Sequence, residues 1–419
     1  MFLRNLLLPL LLLLFLTGTA LADDPVYREN NKYPVLDEIK EARAAVVDER
    51  DSLRTATEKL WELQAEAVDD AKQSLRVDWT KVKRPAGPED FDQLWHLPPT
   101  PQFYTGTCWA FCSTSYMESE ANRLTGVEVK LSEMWVVYWE YVEKARSYLA
   151  SFGATPVAEG GQDHGTLEIM KLYGIVPRDA YPGVADDGRH DHARLSRELK
   201  GYLAWVLKSE SWDEEQNLAA VRGILDKHLG APPVDVEWEG KVYSPASFTS
   251  KVLGLDPEAY VACVSRMDTP YYSRVLLDVH DNWRRKDDYV NLPLDDFYQV
   301  IHKAVREGYT LSIGGDNSEP GMDGMFDTAI IPDWDIPVKY IDQGSREHRI
   351  VNGETGDDHG VHIVGFTRHG GRDWYLIKDS NRSSRLGQFK GYYMWSGDYL
   401  KLKMLSFTIH RDRLEGLLD

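Results

Sequence analysis

The sequence predicts an α+β fold in which a helical half is followed by a β half, and three stretches carry that prediction. Residues 108–125 place small or apolar side chains at Ala110, Thr114, Met117, Ala121 and Leu124, spacings of four and three, before Gly126 offers a C-terminal stop. A second helical pattern opens at Leu131-Ser-Glu133 and runs to about Leu149, with Ser132 as N-cap and the charge of Glu133 in its first turn. Near the other end, Asp357-Asp-His-Gly-Val-His-Ile-Val-Gly365 enters a continuous apolar strand. Trp374-Tyr-Leu-Ile-Lys-Asp-Ser380 reads as its neighbour across a Gly-containing turn.

The first residues read as a secretory leader. Arg4 gives a positive start, Leu6 to Leu16 a short apolar run, and Ala20-Leu-Ala22 a small-residue cleavage site. An exported chain (periplasmic or extracellular) beginning at Asp23 is expected, with no integral membrane segment after it, since no later stretch approaches about 18 consecutive apolar residues. Residues 23–34 are polar and expected to be loosely ordered. Residues 36–76 carry Leu36, Ile39, Ala42, Val46, Leu53, Leu60 and Leu63 at roughly helical spacing, which predicts one or two amphipathic helices. The unit 23–92 is then either a helical arm packed on the core or a propeptide. Lys83-Arg-Pro-Ala-Gly-Pro88 and Pro98-Pro-Thr-Pro101 punctuate the chain as loops before residue 108.

Cys108 falls where a Gly- and Thr-containing loop becomes a helix. Unpaired N–H groups and the positive helix end there favour a thiolate, the nucleophilic form of cysteine. Gln102, six residues upstream, supplies an amide able to hydrogen-bond an oxyanion beside the Cys108 N–H. Against this stands the ordinary role of a helical cysteine as a small buried hydrophobe, the role assigned to Cys112. With Cys108 free, the remaining cysteines, Cys112 and Cys263, are either bridged or two lone core thiols. The formal charge of −19 becomes −20 without residues 1–22, and it argues against nucleic acid or an anionic membrane as partner.

Gly-Thr-Cys-Trp-Ala-Phe111 with Gln at minus six resembles the nucleophile segment of papain-like cysteine peptidases. The succession Glu159-Gly-Gly161, a helix around Thr166–Tyr173, Tyr173-Gly-Ile-Val-Pro177 and Ala180-Tyr-Pro182 resembles the helical half of that fold. The resemblance implies a papain-like two-lobed fold, a helical lobe facing a twisted antiparallel β lobe, in which Gly160 and Gly161 line the cleft and bind substrate backbone. From 184 to 310 the chain departs from the short papain pattern. Helices are expected near 193–208, 212–229, 245–253 and 294–307, and strands at Tyr260–Ser265 and Val275–Val279. With Asp281-Asn-Trp-Arg284 and Tyr309-Thr-Leu-Ser-Ile-Gly-Gly-Asp316, this large insertion resembles the bleomycin hydrolase and bacterial aminopeptidase C branch. The expected units are 1–22, 23–92, 93–183, 184–310 and 311–419.

His359 and His362 compete as the base. On a strand, three residues apart, they point to opposite faces. The family pattern Asp-His-x-Val-x-x-Val-Gly places the catalytic imidazole at His359 and leaves His362 structural. A His-x-x-His metal pair lacks a matching carboxylate or Cys cluster, so no metal and no cofactor is expected. Where papain relatives carry Asn-Ser-Trp, this chain has Asp379-Ser380-Asn381. Asp379 can accept a hydrogen bond from the imidazole and raise its pKa, and Asn381 is the alternative orienter. In bleomycin hydrolase-like enzymes the C-terminal carboxylate reads the substrate amine. Here only Arg411–Asp419 follow the closing strands, at Tyr392–Trp395 and Leu405–His410.

The resulting reading is an exported cysteine peptidase acting on peptide or protein substrates, with exo- or endo-cleavage open and an oligomer compatible with the branch. The alternatives are a silent binding protein of the same fold and a thiol amidase or acyltransferase acting on non-protein amides.

Overall fold

The structure, a computed structural model, describes residues 25–29, 33–50, 63–64, 67, 73–184, 188–317 and 320–417. The expected leader, residues 1–22, and the expected helical positions Leu53 and Leu60 lie outside them. Strand β1 (Pro25–Glu29) and helix α1 (Pro34–Arg50) come first, followed by β2 (Gln73–Val77), which pairs antiparallel with β1, Pro25 opposite Val77. Two expectations are corrected here. The segment expected to be loosely ordered forms a strand, and the predicted helix does not reach 76. Val77 is fully buried beside Trp79, Phe91 and Trp374, so burial against the β half prevails over the charged, helix-favouring composition of 36–76.

After β3 (Asp92–Gln93) the chain enters α2 (Cys108–Thr125), which begins at Cys108 and ends on Gly126 in the left-handed region, φ 74°. Glycine adopts that conformation without a Cβ penalty. The expected one-sided burial of α2 is corrected: every residue from Trp109 to Ala121 is buried, whereas Leu124 is exposed. The cause is position, because α2 packs against α3 (Glu133–Ala150) and α4 (Asp163–Tyr173) and also against the sheet. Ser132 caps α3 by accepting the Trp135 N–H at 3.0 Å.

The insertion contributes α5 (Ala193–Ser209) and α6 (Glu214–Leu229), the hairpin β4 (Val236–Trp238) and β5 (Lys241–Tyr243), and a helical turn at Pro245–Ser247 running into Phe248–Val252. Leu195, Leu199, Leu203 and Val206 of α5 join Leu218, Val221 and Leu225 of α6 in the helical core. Next come β6 (Tyr260–Val264), β7 (Arg274–Val275), β8 (Tyr289–Asn291) and α7 (Leu294–Arg306). The strand expected to reach Val279 stops at Val275. Beyond it Asn282 donates its side-chain N–H groups to Leu277 O and Lys286 O, each at 2.9 Å, and holds a loop instead.

The β half follows: β9 (Leu311–Gly315), β10 (Met322–Asp323), β11 (Thr328–Ala329), α8 (Gln343–Val351), β12 (His359–His369), β13 (Arg372–Lys378), β14 (Tyr392–Ser396), α9 (Gly397–Lys403) and β15 (Met404–His410). They build one mixed sheet of order β10-β11-β14-β13-β12-β9-β15-β6-β8-β7, with β3 on β12. Its second core gathers Ile313, Val361, Ile363, Tyr375, Ile377 and Phe407. Strand β12 is central, with His359 opposite Gly315 of β9 and Ile363 opposite Ile377 of β13.

Gly360 brings the halves together. A Cβ there would sit 2.7 Å from Cys112 Sγ and 3.5 Å from the Trp109 Cα, so only a hydrogen lets α2 lie this close to β12. All three cysteines are free, which leaves Cys112 and Cys263 as lone core thiols and removes the bridge considered above. The segment Arg411–Leu414 buries Leu414, and Arg413 lies over Tyr309, whose ring also stacks on Arg123 near the end of α2. Arg123 stands fifteen residues from Cys108, about 22 Å along the helix. No described helix is long and apolar enough to cross a membrane.

Candidate active site

The first residue of α2 is Cys108, half-buried, and the residues before it form its loop. That loop is braced on three sides. Thr105 and Thr107 share a 2.7 Å hydroxyl contact, and the Gly106 N–H donates to Glu159 Oε2 at 2.6 Å. Tyr104 pairs with the 190–192 segment, its N–H donating to His190 O at 3.0 Å. Burial pushes the Glu159 carboxyl up, but the His192 imidazole 3.2 Å away and the Gly106 N–H outweigh it and hold it below its usual range.

His359 enters from β12, buried, with Nε2 2.7 Å from Asp379 Oδ1. Burial favours the neutral imidazole. The Asp379 carboxylate and the Cys108 sulfur outweigh it and raise the imidazole well above its ordinary pKa. Asp379 directly follows β13. Its Oδ1 also accepts the Asn381 N–H at 2.8 Å, and its Oδ2 is buried without a protein partner. The Asn381 side chain turns the other way, accepting the Ser383 N–H at 3.4 Å, so Asp379 rather than Asn381 meets the imidazole.

Gln102 lies between the halves. Its N–H donates to Ser380 O at 3.0 Å, Ser380 Oγ donates to its Oε1 at 2.8 Å, and its Nε2 donates to Thr105 O at 2.8 Å. The second N–H of that amide is not used by Thr105. Gly161 is buried on the Trp109 indole, where a Cβ would lie 2.8 Å from the ring, and a Cβ on Gly160 would lie 2.2 Å from Asp281 Oδ2. The insertion therefore places a carboxylate directly on the first of the two glycines. Asp357 lies near it, accepting from Gln162 Nε2 at 2.5 Å. Burial, opposed in part by that hydrogen bond, carries its pKa up to about 7.

The other candidates are occupied differently. Burial and the Asp163 carboxylate 3.3 Å away push the Cys112 thiol far above its ordinary pKa, so it stays protonated. His362 is fully buried, its Nδ1 2.8 Å from Ser115 Oγ on α2. Burial, then Lys378 and His96, hold it neutral. Among the described residues no group of three His, Cys, Asp or Glu side chains is arranged to hold a metal ion.

A cavity of about 660 Å³ opens beside the loop before Cys108, between Gln102, Gly106 and Glu159 on one side and Asn381 and Arg382 on another. Leu36 of α1 forms part of its wall. Helix α1 is fastened there by Arg43, which makes a two-pronged pair with Asp191 at 2.7 and 3.2 Å and lies 3.8 Å over the Tyr104 ring. Sequence reasoning missed Ser380, Gly360 and Asp281 as parts of this arrangement. The signals were the Ser beside Asp379, the Gly directly after His359, and an acid in a segment already singled out.

The sequence profile of the Peptidase C1-like family matches residues 90–416. The chain belongs to that family. This C1-like peptidase is 26% identical over 346 residues to aminopeptidase C of Lactobacillus delbrueckii subsp. lactis, covering 72% of this chain and 76% of that protein. It is 22% identical to aminopeptidase C of Lactococcus lactis subsp. lactis, covering 78% and 84%, and 23% identical to the mitochondrial cysteine proteinase 1 of Saccharomyces cerevisiae, covering 64% and 65%. The crystal structure of PepW from Lactobacillus rhamnosis HN001 shares its fold with a TM-score of 0.63 at 18% identity, covering 93% of this chain and 94% of that one. The C1-like chain is thus a cysteine-type peptidase of papain-like α+β fold, in the branch that contains aminopeptidase C.

Proposed function

We propose that the chain hydrolyses peptide bonds with Cys108 as nucleophile, His359 as acid and base, and Asp379 as the orienting group. The observation that carries this reading is His359 Nε2 lying 2.7 Å from Asp379 Oδ1, with the Cys108 sulfur near enough to help raise the imidazole pKa. His359 takes the thiol proton and the thiolate attacks the scissile carbonyl. The Cys108 N–H and the outer N–H of Gln102 receive the oxyanion, and His359 then protonates the departing amine. Water, deprotonated by the same imidazole, cleaves the thioester. Alkylation tests the assignment: a peptidyl epoxide should label wild type on Cys108 alone, and His359→Ala should lose that labelling and peptide turnover. Labelling at undiminished rate in His359→Ala would refute it.

We further propose amino-terminal cleavage. Two of the relatives are named aminopeptidase C, and Asp281 against Gly160 offers a carboxylate to a substrate ammonium where the extended backbone would end. Free-amine peptides should be cut in preference to N-acetylated ones, and Asp281→Asn should erase the difference.

Leu36 on the cavity wall favours reading the N-terminal arm as a cover over the cleft. Arg43→Ala, which removes the Asp191 pair, should raise kcat/KM on long peptides; unchanged kinetics would leave the arm a packing element only. Export is proposed from Arg4, Leu6–Leu16 and Ala20-Leu-Ala22. Amino-terminal sequencing of secreted material should begin at Asp23.

A further inference from the structure

The cavity beside Gln102 carries an unexpected charge for so acidic a chain. The protein has 48 Lys and Arg against 67 Asp and Glu, yet Arg197, Lys200 and Arg382 all line this one cavity. All three are exposed, and among the described residues none has a carboxylate at ion-pair distance. Their neighbours differ: Arg189 is paired with Glu38 at 2.6 Å and Arg43 with Asp191 at 2.7 Å. Glu159 is the one acidic residue among the lining side chains, and its charge is answered by the Gly106 N–H and His192.

Arg197 and Lys200 stand three apart on α5, so they project from one face of the helix. Ala193 and Ser196, from the first turn of α5, line the same cavity, so the positive end of the helix faces it as well. Arg382 approaches from the opposite side, just beyond Asp379. Leu36 supplies an apolar wall. A volume near 660 Å³ accepts a side chain with its methylenes against Leu36 and its head among the cations.

We propose that this cavity is a subsite for an acidic side chain, so that Arg197, Lys200 and Arg382 select peptides carrying Asp or Glu next to the scissile bond. The inference rests on the peptidase reading for the position of that bond, but the charge selection is a binding property and is testable without turnover. The overall negative field repels acidic peptides at a distance, and the three cations reverse that repulsion only within about a Debye length of the cleft. Selection is therefore local and falls with salt.

The test uses full-length Cys108→Ala and short peptides that differ only by Glu or Gln at one position, with binding read by fluorescence anisotropy. At least one Glu peptide should bind about tenfold tighter than its Gln twin at low salt, the ratio shrinking as salt rises. Arg197→Glu combined with Lys200→Glu, in a protein of unchanged circular dichroism, should bring the ratio to one or below. Glu and Gln twins that bind alike at every position would overturn the proposal, as would a preference that survives the double charge reversal. Wild-type turnover of the same peptides is read separately. Glu selection without any cleavage would refute the peptidase reading and leave the subsite standing; cleavage without selection would do the reverse.

Discussion

Gln102 and Ser380 are joined twice, through the Gln102 N–H to Ser380 O at 3.0 Å and through Ser380 Oγ to Gln102 Oε1 at 2.8 Å. The two residues belong to opposite halves of the molecule, 278 positions apart. The pairing fixes the orientation of the amide, because its oxygen accepts from the Ser380 hydroxyl while its nitrogen donates to Thr105 O. Gln102→Ala should lower kcat by about 10²- to 10³-fold with little change in KM, as expected of an oxyanion donor. Ser380→Ala keeps the amide but frees its rotation, so its loss should be smaller, within about tenfold. Equal losses in the two variants would assign the whole effect to loop geometry.

If His359 acts as proposed, the charge on Asp379 should set the upper edge of the working pH range. It raises the His359 pKa, so the imidazolium persists below that pKa and is lost as pH rises through it. Asp379→Asn removes the carboxylate but keeps an acceptor oxygen. The alkaline limb of kcat/KM should therefore move to lower pH while the fold is retained. A limb that stays in place would mean that another group controls it.

Gly360 offers a test of how closely the halves must approach. A methyl group there meets Cys112 Sγ at 2.7 Å, and α2 has to move away from β12 to admit it. Gly360→Ala should reduce turnover by about 10²-fold, the scale of a displacement near 1 Å between reacting groups. Thermal unfolding should remain a single transition. Full activity in this variant would show that α2 is not positioned by this contact.

His362 should separate stability from chemistry. It is fully buried, neutral and bonded to Ser115. His362→Ala leaves a cavity and an unpaired buried hydroxyl, a cost of about 2 to 4 kcal/mol in unfolding free energy. Alkylation of Cys108 at low temperature should proceed at the wild-type rate. A slowed rate in a folded variant would place His362 in the reaction.

The parts of this molecule that were legible in the sequence share strong local signals. Cys108 stands before a helical repeat that closes on Gly126, and His359 opens a run of strand-forming residues. Helix α8 was illegible because its buried members are Arg346 and Arg349 rather than apolar residues. Arg346 is satisfied by the backbone carbonyls of Ser265, Lys401 and Leu405, which no periodicity announces. Its one written signal was the capping pair Asp342 and Ser345. Strand β8 pairs in parallel with β6 over two residues, too short for an alternation to show. The Gln102–Ser380 clip was illegible for a different reason, since neither residue carries information about the other until the two halves meet.

The close seat of α2 on β12 also has a consequence in time. Cys108 is added to the growing chain 251 residues before His359, roughly 12 to 50 s earlier at ordinary rates of synthesis. Throughout that interval the sulfur has neither imidazole nor Asp379 beside it, and its helix lacks the strand it packs on. Under the proposed assignment, the Cys108–His359–Asp379 arrangement is assembled only when the last third of the polypeptide has been made and closed onto the first. Long-range pairing of this kind is among the slowest events in folding. On the proposed mechanism the peptidase is in effect disarmed by the order of its own synthesis, and a chain that stalls before β12 docks should present no activated thiol to its neighbours.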